Sequence, residues 1–413
     1  MLSYRSKPHC GGQGVYVRHL SRELTALGHS VDVFSGQPYP ELEPGPQLYE
    51  VPSLDLYRDP DPFRTPRLGE YRDWIDVLEF AAMKTGAFPE PLTFSLRALR
   101  ELRGRRADYD VVHDNQVLGY GLLGLRKVGL PLVTSIHHPV SVDRKIELEA
   151  ASGLTKLAKR RWYAFVRMQA RVAHRISQHG AVLTVSESSR RDICHDFRAN
   201  ADNVHVIPLG VDTRLFHPRP APRVPGLIVA VASADSPMKG VATLLRAVAQ
   251  LERRPEAAHA RLVVVSKPTP GGATDKLTSE LGLRDRVEFQ HGLSHDALAE
   301  LLASAQIAVV PSLYEGFSLP AVEHMASGTP LVASRTGALP EVTGDAAVLV
   351  EPGNADELSA ALARLLSQPT ERERLGEAAL QRVAERFAWP AVARATVEQY
   401  RATIGATKGA GPC

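Results

Sequence analysis

Two carboxylates, Glu315 and Glu323, are separated by seven residues in the stretch YEGFSLPAVEHMASGTPLVAS, Tyr314 to Ser334. Pro320 suits the first turn of a helix, where a missing N–H costs nothing, and Gly328 suits its end. This places Glu323 in the first turn and Glu315 in the loop before it. The amides of Phe317, Ser318 and Leu319, next to Gly316, are then free to point out of the helix start. Such a terminus attracts anions and polar oxygens. A carboxylate beside it can accept charge-assisted bonds from a pair of hydroxyls. A ligand with vicinal hydroxyls on one part and phosphate on another fits this chemistry. Residue by residue, a glutamate that complements the helix dipole and a solvated loop glutamate would look the same.

Three further places carry chemistry. In HCGGQG, Gly11 and Gly12 let a backbone approach a diphosphate without Cβ clashes, just before a helix expected to start near Val15; a plain tight turn is the alternative. Lys239, in SPMKG, follows a strand at a helix start, on the crevice side; a single surface lysine would otherwise read as solvated. His137, in VTSIHHP, ends a strand, with His138 facing the other way if the strand continues. His113 and Asp114 end the strand before it and are expected to reach an acceptor.

Short β-branched runs must position these residues. SVDVFSG, YDVVHDN, PLVTSIHH and GAVLTVS read as strands in the first half. GLIVAVAS, ARLVVVS, RVEFQHG, IAVVPS and TPLVAS read so in the second. Helical patterns such as YVRHLSRELTALGH, stopped at Gly28, and VATLLRAVAQLERR alternate with them. The alternation implies an α/β chain with two doubly wound parallel sheets. FHPRPAPRVPG, residues 216–226, holds four prolines and reads as a stiff connector. The expected domains are residues 1–215 and 227–395, with 396–413 as the end of a C-terminal helix and a loose tail beginning at Ala406. The stretch from Pro38 to Pro91 is Pro-rich, then helical around YRDWIDVLEFAAMK; it either shapes an acceptor pocket or decorates the fold.

Composition bounds the function. The 413 residues are 44% hydrophobic and 23% charged, as in a globular protein with sizeable cores. A net charge of +3 gives no argument for nucleic acid. Cys10, Cys194 and Cys413 are sparse and far apart, against a disulfide framework. No run of about 18 apolar residues appears, and the N-terminus lacks a signal-peptide core, so a cytoplasmic location is expected. The pair Asp59 and Asp61 lies in the Pro-rich segment, and no His/Cys cluster has ligand spacing, so neither metal nor cofactor is expected. The basic stretch KLAKRRWYAFVRMQARVAHR, with Trp162, Tyr163 and Phe165, reads either as a helix with one buried aromatic face or as a peripheral contact on the inner membrane face.

The two-glutamate motif, with GGQGVYVRHLSRELTALGHSVDVFS, VVHDN, TSIHHP, LTVSESSRRD, VHVIPLGVDTRLF, PMKG and RVEFQHGLS in this order, resembles glycosyltransferase family 4 over nearly the whole chain. The resemblance implies a GT-B architecture, two Rossmann-like domains facing across a cleft, with the acceptor on the N-terminal domain. It implies a retaining transfer of a hexose-type sugar from a nucleotide sugar, with UDP or GDP as carrier, to a small-molecule, glycan or lipid hydroxyl. Glu323 would hold ribose hydroxyls, Glu315 donor-sugar hydroxyls, Lys239 the diphosphate and Leu293 the base, while His137 would meet the sugar near the reacting centre. The family usually adds an arginine five or six residues before the lysine; Ala234 and Ser233 stand there instead. It also usually has more apolar residues before SYRS, so the first strand is short or the true start lies upstream. An epimerase, a phosphorylase or a nucleotide-binding module without chemistry on the same architecture remains a rival.

Overall fold

The computed structural model describes residues 1–6, 12–58, 60–149 and 151–409. Two compact units form, Met1–Ile207 together with the chain from Pro390 onward, and Pro208–Trp389. The Pro-rich segment 216–226 therefore lies inside the second unit. Phe216 is buried there, and the first strand of that unit already starts at Val224. Gly11, Cys10 and Asp59 lie outside the described residues.

In the first unit, seven parallel strands form one sheet: β1 (Leu2–Ser3), β2 (Asp32–Ser35), β3 (Gln47–Glu50), β4 (Val112–Asn115), β5 (Leu132–Ile136), β6 (Val182–Thr184) and β7 (Val204–Val206). Their spatial order is β3-β2-β1-β4-β5-β6-β7. In the second unit six parallel strands do the same: β8 (Val224–Val231), β9 (Arg261–Val265), β10 (Val287–Gln290), β11 (Ala305–Val310), β12 (Leu331–Ser334) and β13 (Ala347–Val350), in the order β10-β9-β8-β11-β12-β13. In each sheet the order reverses beside the first strand. Loops leaving the carboxyl ends on either side of such a reversal diverge and open a crevice for ligands. The loop after β8 carries Lys239 and the loop after β11 carries Glu315.

The strands form because their β-branched runs are buried on both faces. Ile228, Leu262, Val264, Ile307 and Val332 are solvent-free in the second core. The helix Val241–Leu251 lays Leu244, Leu245, Val248 and Leu251 against them, the spacing of one helical face. Each such side chain contributes about 1.5–3 kcal/mol by leaving water.

The edge strand β3 escapes a sequence reading because its four residues are all exposed and form no apolar run. After it, the segment up to Pro89 builds a satellite core in which Leu54, Leu56, Tyr57 and Met83 pack with Phe80, Phe88 and Trp162. Asp73 caps the helix Trp74–Lys84, accepting from the amides of Ile75 at 2.8 Å and Asp76 at 3.2 Å. Arg97, on the helix Glu90–Arg103, ties this segment down by pairing with Asp76 at 2.6 Å and with Glu79. All three side chains are buried, so loss of one strands an unpaired charge.

The C-terminal helix spans Trp389–Gly409, so Ala406–Gly409 continue it where a loose tail was expected. The first helix begins at Gly12, three residues before the expected start.

Gly240 has φ +65°, and a Cβ there would lie 1.9 Å from the carbonyl oxygen of Pro311. Gly240→Ala is expected to destabilise the protein by roughly 1–3 kcal/mol through forced backbone movement, measured by urea unfolding.

Candidate active site

The second unit gathers Lys239 and Glu315. Lys239 ends a short helical turn, Pro237–Lys239, and Gly240 then enters the helix Val241–Leu251 in a left-handed conformation. Its Nζ donates to Glu315 Oε1 at 2.7 Å. Ser312 Oγ donates to the same oxygen at 2.7 Å. The Glu315 backbone is held as well, its carbonyl accepting from the Ala338 amide at 2.8 Å. Gly337 makes this possible: a Cβ there would sit 2.1 Å from that carbonyl oxygen. Glu315 is buried while the lysine is partly exposed, so the cation can leave for a better anion and the carboxylate keeps a hydroxyl partner in Ser312.

Ser318 caps the helix Leu319–Ala326, accepting from the Ala321 amide at 3.4 Å with φ +80°. The amides of Phe317, Ser318 and Leu319 are left without a partner among the described residues. Phe317 anchors this loop, its ring edge-on to Phe387 with centroids 5.8 Å apart. Because Ser318 takes the cap and Leu319 starts the helix, Pro320 is its second residue and Glu323 its fifth. Glu323 thus lies in the second turn, beyond the first turn where the sequence placed it. Burial pushes its carboxyl up to about 7. Leu293 is half-buried in the turn between β10 and the helix His295–Ser304, outside the solvent-free core.

The turn from Ser233 to Lys239 supplies no second cation. The Ala234 amide donates to Ser266 Oγ at 2.8 Å, its carbonyl accepts from Thr274 Oγ1 at 2.8 Å, and the Asp235 carboxylate accepts from the Thr269 amide at 2.7 Å.

In the first unit Gly12 opens the helix Gly12–Ala26, and His137 directly follows β5. The Gln116 side chain clamps the His137 backbone, its Oε1 accepting from the His137 amide at 2.8 Å and its Nε2 donating to the His138 carbonyl at 2.7 Å. His137 Nε2 lies 2.6 Å from Asn115 Oδ1. Asn115 Nδ2 donates to the Gln13 carbonyl at 3.3 Å, which fixes the amide with its oxygen toward the imidazole. Nε2 must then carry the proton, and Nδ1 keeps a lone pair. That Nδ1 is buried and has no partner among the described residues. Burial lowers the ring to about 4, so it is neutral through the physiological range. The result is an acceptor atom suited to a hydroxyl.

His113 and Asp114 spend their polar atoms on the protein itself. His113 bonds Ser135 Oγ at 2.7 Å and, through Nδ1, the Tyr400 hydroxyl of the C-terminal helix. Asp114 accepts from the amides of Val117 and Leu118, both at 3.2 Å, and from Thr134 Oγ1 at 2.6 Å. Both side chains are buried, and burial pushes the Asp114 carboxyl up to about 7 against those three donors. The residues at the strand end proper are Asn115 and Gln116, which the sequence reading passed over; their position after VVHD was the available signal.

Comparison with known proteins bears on the family and the fold. Residues 10–215 match the model of Glycosyltransferase Family 4, and residues 214–382 match that of Glycosyl transferases group 1. An MMP alpha-(1->4)-mannosyltransferase of Mycolicibacterium hassiacum is 57% identical over 410 residues, covering 98% of each chain. The chain belongs to glycosyltransferase family 4. A D-inositol 3-phosphate glycosyltransferase of Saccharomonospora viridis is 29% identical, over 97% of this chain and 91% of that one. Among solved structures, sucrose-phosphate synthase from Thermosynechococcus elongatus superposes with a TM-score of 0.71 at 24% identity, covering 98% of this chain and 99% of that one. The Anabaena protein HepE in complex with UDP gives 0.67 at 18% identity, over 97% and 99%. These likenesses are of fold, the GT-B pair of Rossmann-like domains. As a family-4 glycosyltransferase the protein moves a sugar from a nucleotide sugar to an acceptor.

Between about pH 4.5 and 7 the folded state retains a proton on Glu323 that the unfolded chain releases, so this residue makes stability fall as pH rises through that window. Glu323→Gln is expected to raise the melting temperature at pH 8 and leave it unchanged near pH 4, measured by calorimetry at both values.

Proposed function

We propose that the protein is a retaining α-mannosyltransferase that carries mannose from a nucleoside-diphosphate mannose to a hydroxyl of a saccharide acceptor. The observation that carries this reading is the 57% identity, over 98% of both chains, to a mannosyltransferase that makes an alpha-(1->4) bond. In this reading Lys239 leaves Glu315 for the departing diphosphate, and the three open amides at Phe317, Ser318 and Leu319 add partial positive charge beside it. Glu315, released, accepts from hydroxyls of the donor sugar. Glu323 takes the ribose hydroxyls, Leu293 meets the base through its backbone, and Gly11 and Gly12 let the chain approach the diphosphate. Nδ1 of His137 accepts from a sugar hydroxyl near the anomeric carbon.

The bond from C1 to the phosphate oxygen breaks, its electron pair leaving with the diphosphate. The acceptor oxygen bonds C1 from the same face and its proton passes to the leaving phosphate oxygen. No carboxylate nucleophile enters this scheme; Asp114, the carboxylate in β4, is committed to its own turn and to Thr134. Charge neutralisation rests on protein groups alone, with no metal step.

A second contact is supported by the helix Gly153–Trp162. Tyr163 is buried in the first unit, and Trp162 and Phe165 are half-buried against it. Leu154 and Leu157 instead stand 86% and 60% exposed on a helix with no buried residue, with Lys159, Arg160 and Arg161 in its last turn. We propose that this helix rests on an anionic membrane surface, a peripheral association. No described helix is long and apolar enough to cross a membrane.

A panel of mannose donors differing in base, with product linkage and anomeric configuration read by NMR, tests the reaction. An α-linked mannoside is expected; transfer of another hexose with no mannosyl product would refute the reading. Lys239→Met is expected to lower kcat by about 10²–10³-fold, the effect of losing one preorganised donor at a developing charge. Sedimentation with vesicles containing phosphatidylglycerol is expected to bring down the wild type, and Leu154→Asp with Leu157→Asp is expected to stay in solution.

A further inference from the structure

Phe63 is a bulky residue held at φ +64°, in the left-handed region that such side chains avoid. Its ring is 54% exposed. Neither feature helps folding: a glycine would relieve the backbone, and a polar side chain would suit water better. Strain of this kind persists where the surroundings enforce it, often at ligand sites.

The ring lies at the rim of an aromatic group. Its centroid is 5.4 Å from that of Tyr57 and 6.2 Å from that of Trp162. Trp162 in turn lies 5.7 Å from Tyr57 and 5.1 Å from Phe88. A polar rim adjoins the group: Arg5 donates to the Tyr57 carbonyl at 3.2 Å and pairs with Glu90 at 3.4 Å.

A continuous line of contacts joins this group to the strand ends. Tyr4, just after β1, stands edge-on to Phe88 with centroids 6.4 Å apart. Its neighbour Ser3, in β1, accepts from Asn115 Nδ2 at 3.4 Å. The Gln13 carbonyl holds Asn115, and Asn115 holds His137. The aromatic group is therefore fixed beside the carboxyl ends of β1, β4 and β5, where this sheet takes its ligands.

We propose that Phe63 and Trp162, backed by Tyr57 and Phe88, form a stacking platform for a saccharide acceptor. Sugar rings present flat C–H faces that lie on aromatic rings while their hydroxyls reach outward, here toward the partly exposed Arg5, which the buried Glu90 holds in place. Phe63, Tyr57 and Phe88 belong to the segment between β3 and the helix Glu90–Arg103, and Trp162 ends the helix Gly153–Trp162, so these two pieces of chain together select the acceptor. The proposal rests on the mannosyltransferase reading for its choice of saccharide, because a (1->4) bond needs an acceptor ring with a hydroxyl at position 4.

The test uses an α-(1→4)-linked mannotetraose, with Phe63→Ala and Phe63→Gly. Both variants are expected to raise the acceptor KM about threefold to tenfold, the range of aromatic contacts, with the donor KM unmoved. Phe63→Gly removes the strain, so its melting temperature is expected to match or exceed that of the wild type, which separates lost recognition from misfolding. Tetraose binding is also read without turnover by quenching of tryptophan fluorescence, with Trp162→Phe as the control that abolishes the signal. Wild-type acceptor KM and tetraose affinity in Phe63→Ala, or no tetraose binding by the wild type, would overturn the platform. If no mannose donor is used but tetraose binds and Phe63→Ala weakens it, the platform stands and the donor assignment fails.

Discussion

The contact between Lys239 and Glu315 joins two loops that the Leu313 amide also ties together, by donating to the Met238 carbonyl at 2.8 Å. One leaves β8 and the other leaves β11, neighbouring strands on either side of the order reversal in the second sheet. The glycines around them serve that meeting. Gly240 passes under the Pro311 carbonyl, and Gly337 passes under the backbone of Glu315 itself. With no ligand bound, lysine and glutamate neutralise each other, so neither charge is left unpaired while the site waits. A diphosphate competes for the lysine and sugar hydroxyls compete for the carboxylate. The resting ion pair and the ligand-bound arrangement are alternatives that use the same two side chains.

The first unit handles its polar groups in the opposite manner. His113, Ser135, Tyr16 and Tyr400 form a neutral chain of hydrogen bonds, with Ser135 Oγ between His113 Nε2 and the Tyr16 hydroxyl at 3.0 Å. Burial lowers His113 to about 3 and raises both phenols, so every member stays uncharged. His137 lies against this chain, its ring 4.4 Å from that of Tyr16. A neutral surrounding of this kind keeps the imidazole in one tautomer, with direction set by Asn115.

Much of the architecture was legible in the chain. Runs such as GLIVAVAS and ARLVVVS declare buried parallel strands because no other element buries so many β-branched residues in so few positions. Lys239 and Glu315 were legible because strand ends and a proline-marked helix start fix where they fall. Other features depend on tertiary contacts that no local pattern encodes. Glu323 slipped to the second turn because Ser318, in an unusual backbone conformation, claimed the cap. His113 and Asp114 look like strand-end ligands until Tyr400 and the turn at Val117 are seen to use them up. The connector at residues 216–226 reads as a boundary by its prolines, yet Phe216 buries in the second unit. Nothing in the string RDPDPF announces that Phe63 takes a left-handed backbone.

The C-terminal helix completes the first unit from the far end of the chain. Tyr400 supplies the hydroxyl that satisfies His113, and Thr396 and Val397 are buried along the same helix. The contiguous piece ending at residue 207 is thus an unfinished fold, with an imidazole short of its partner. All seven strands of that sheet are made by residue 206, but the helix that satisfies His113 follows only after the whole second unit, so the first unit is finished late. A circular permutant that begins near Pro390 and runs on into Met1 would supply the missing helix first and let the unit mature in the order it is made.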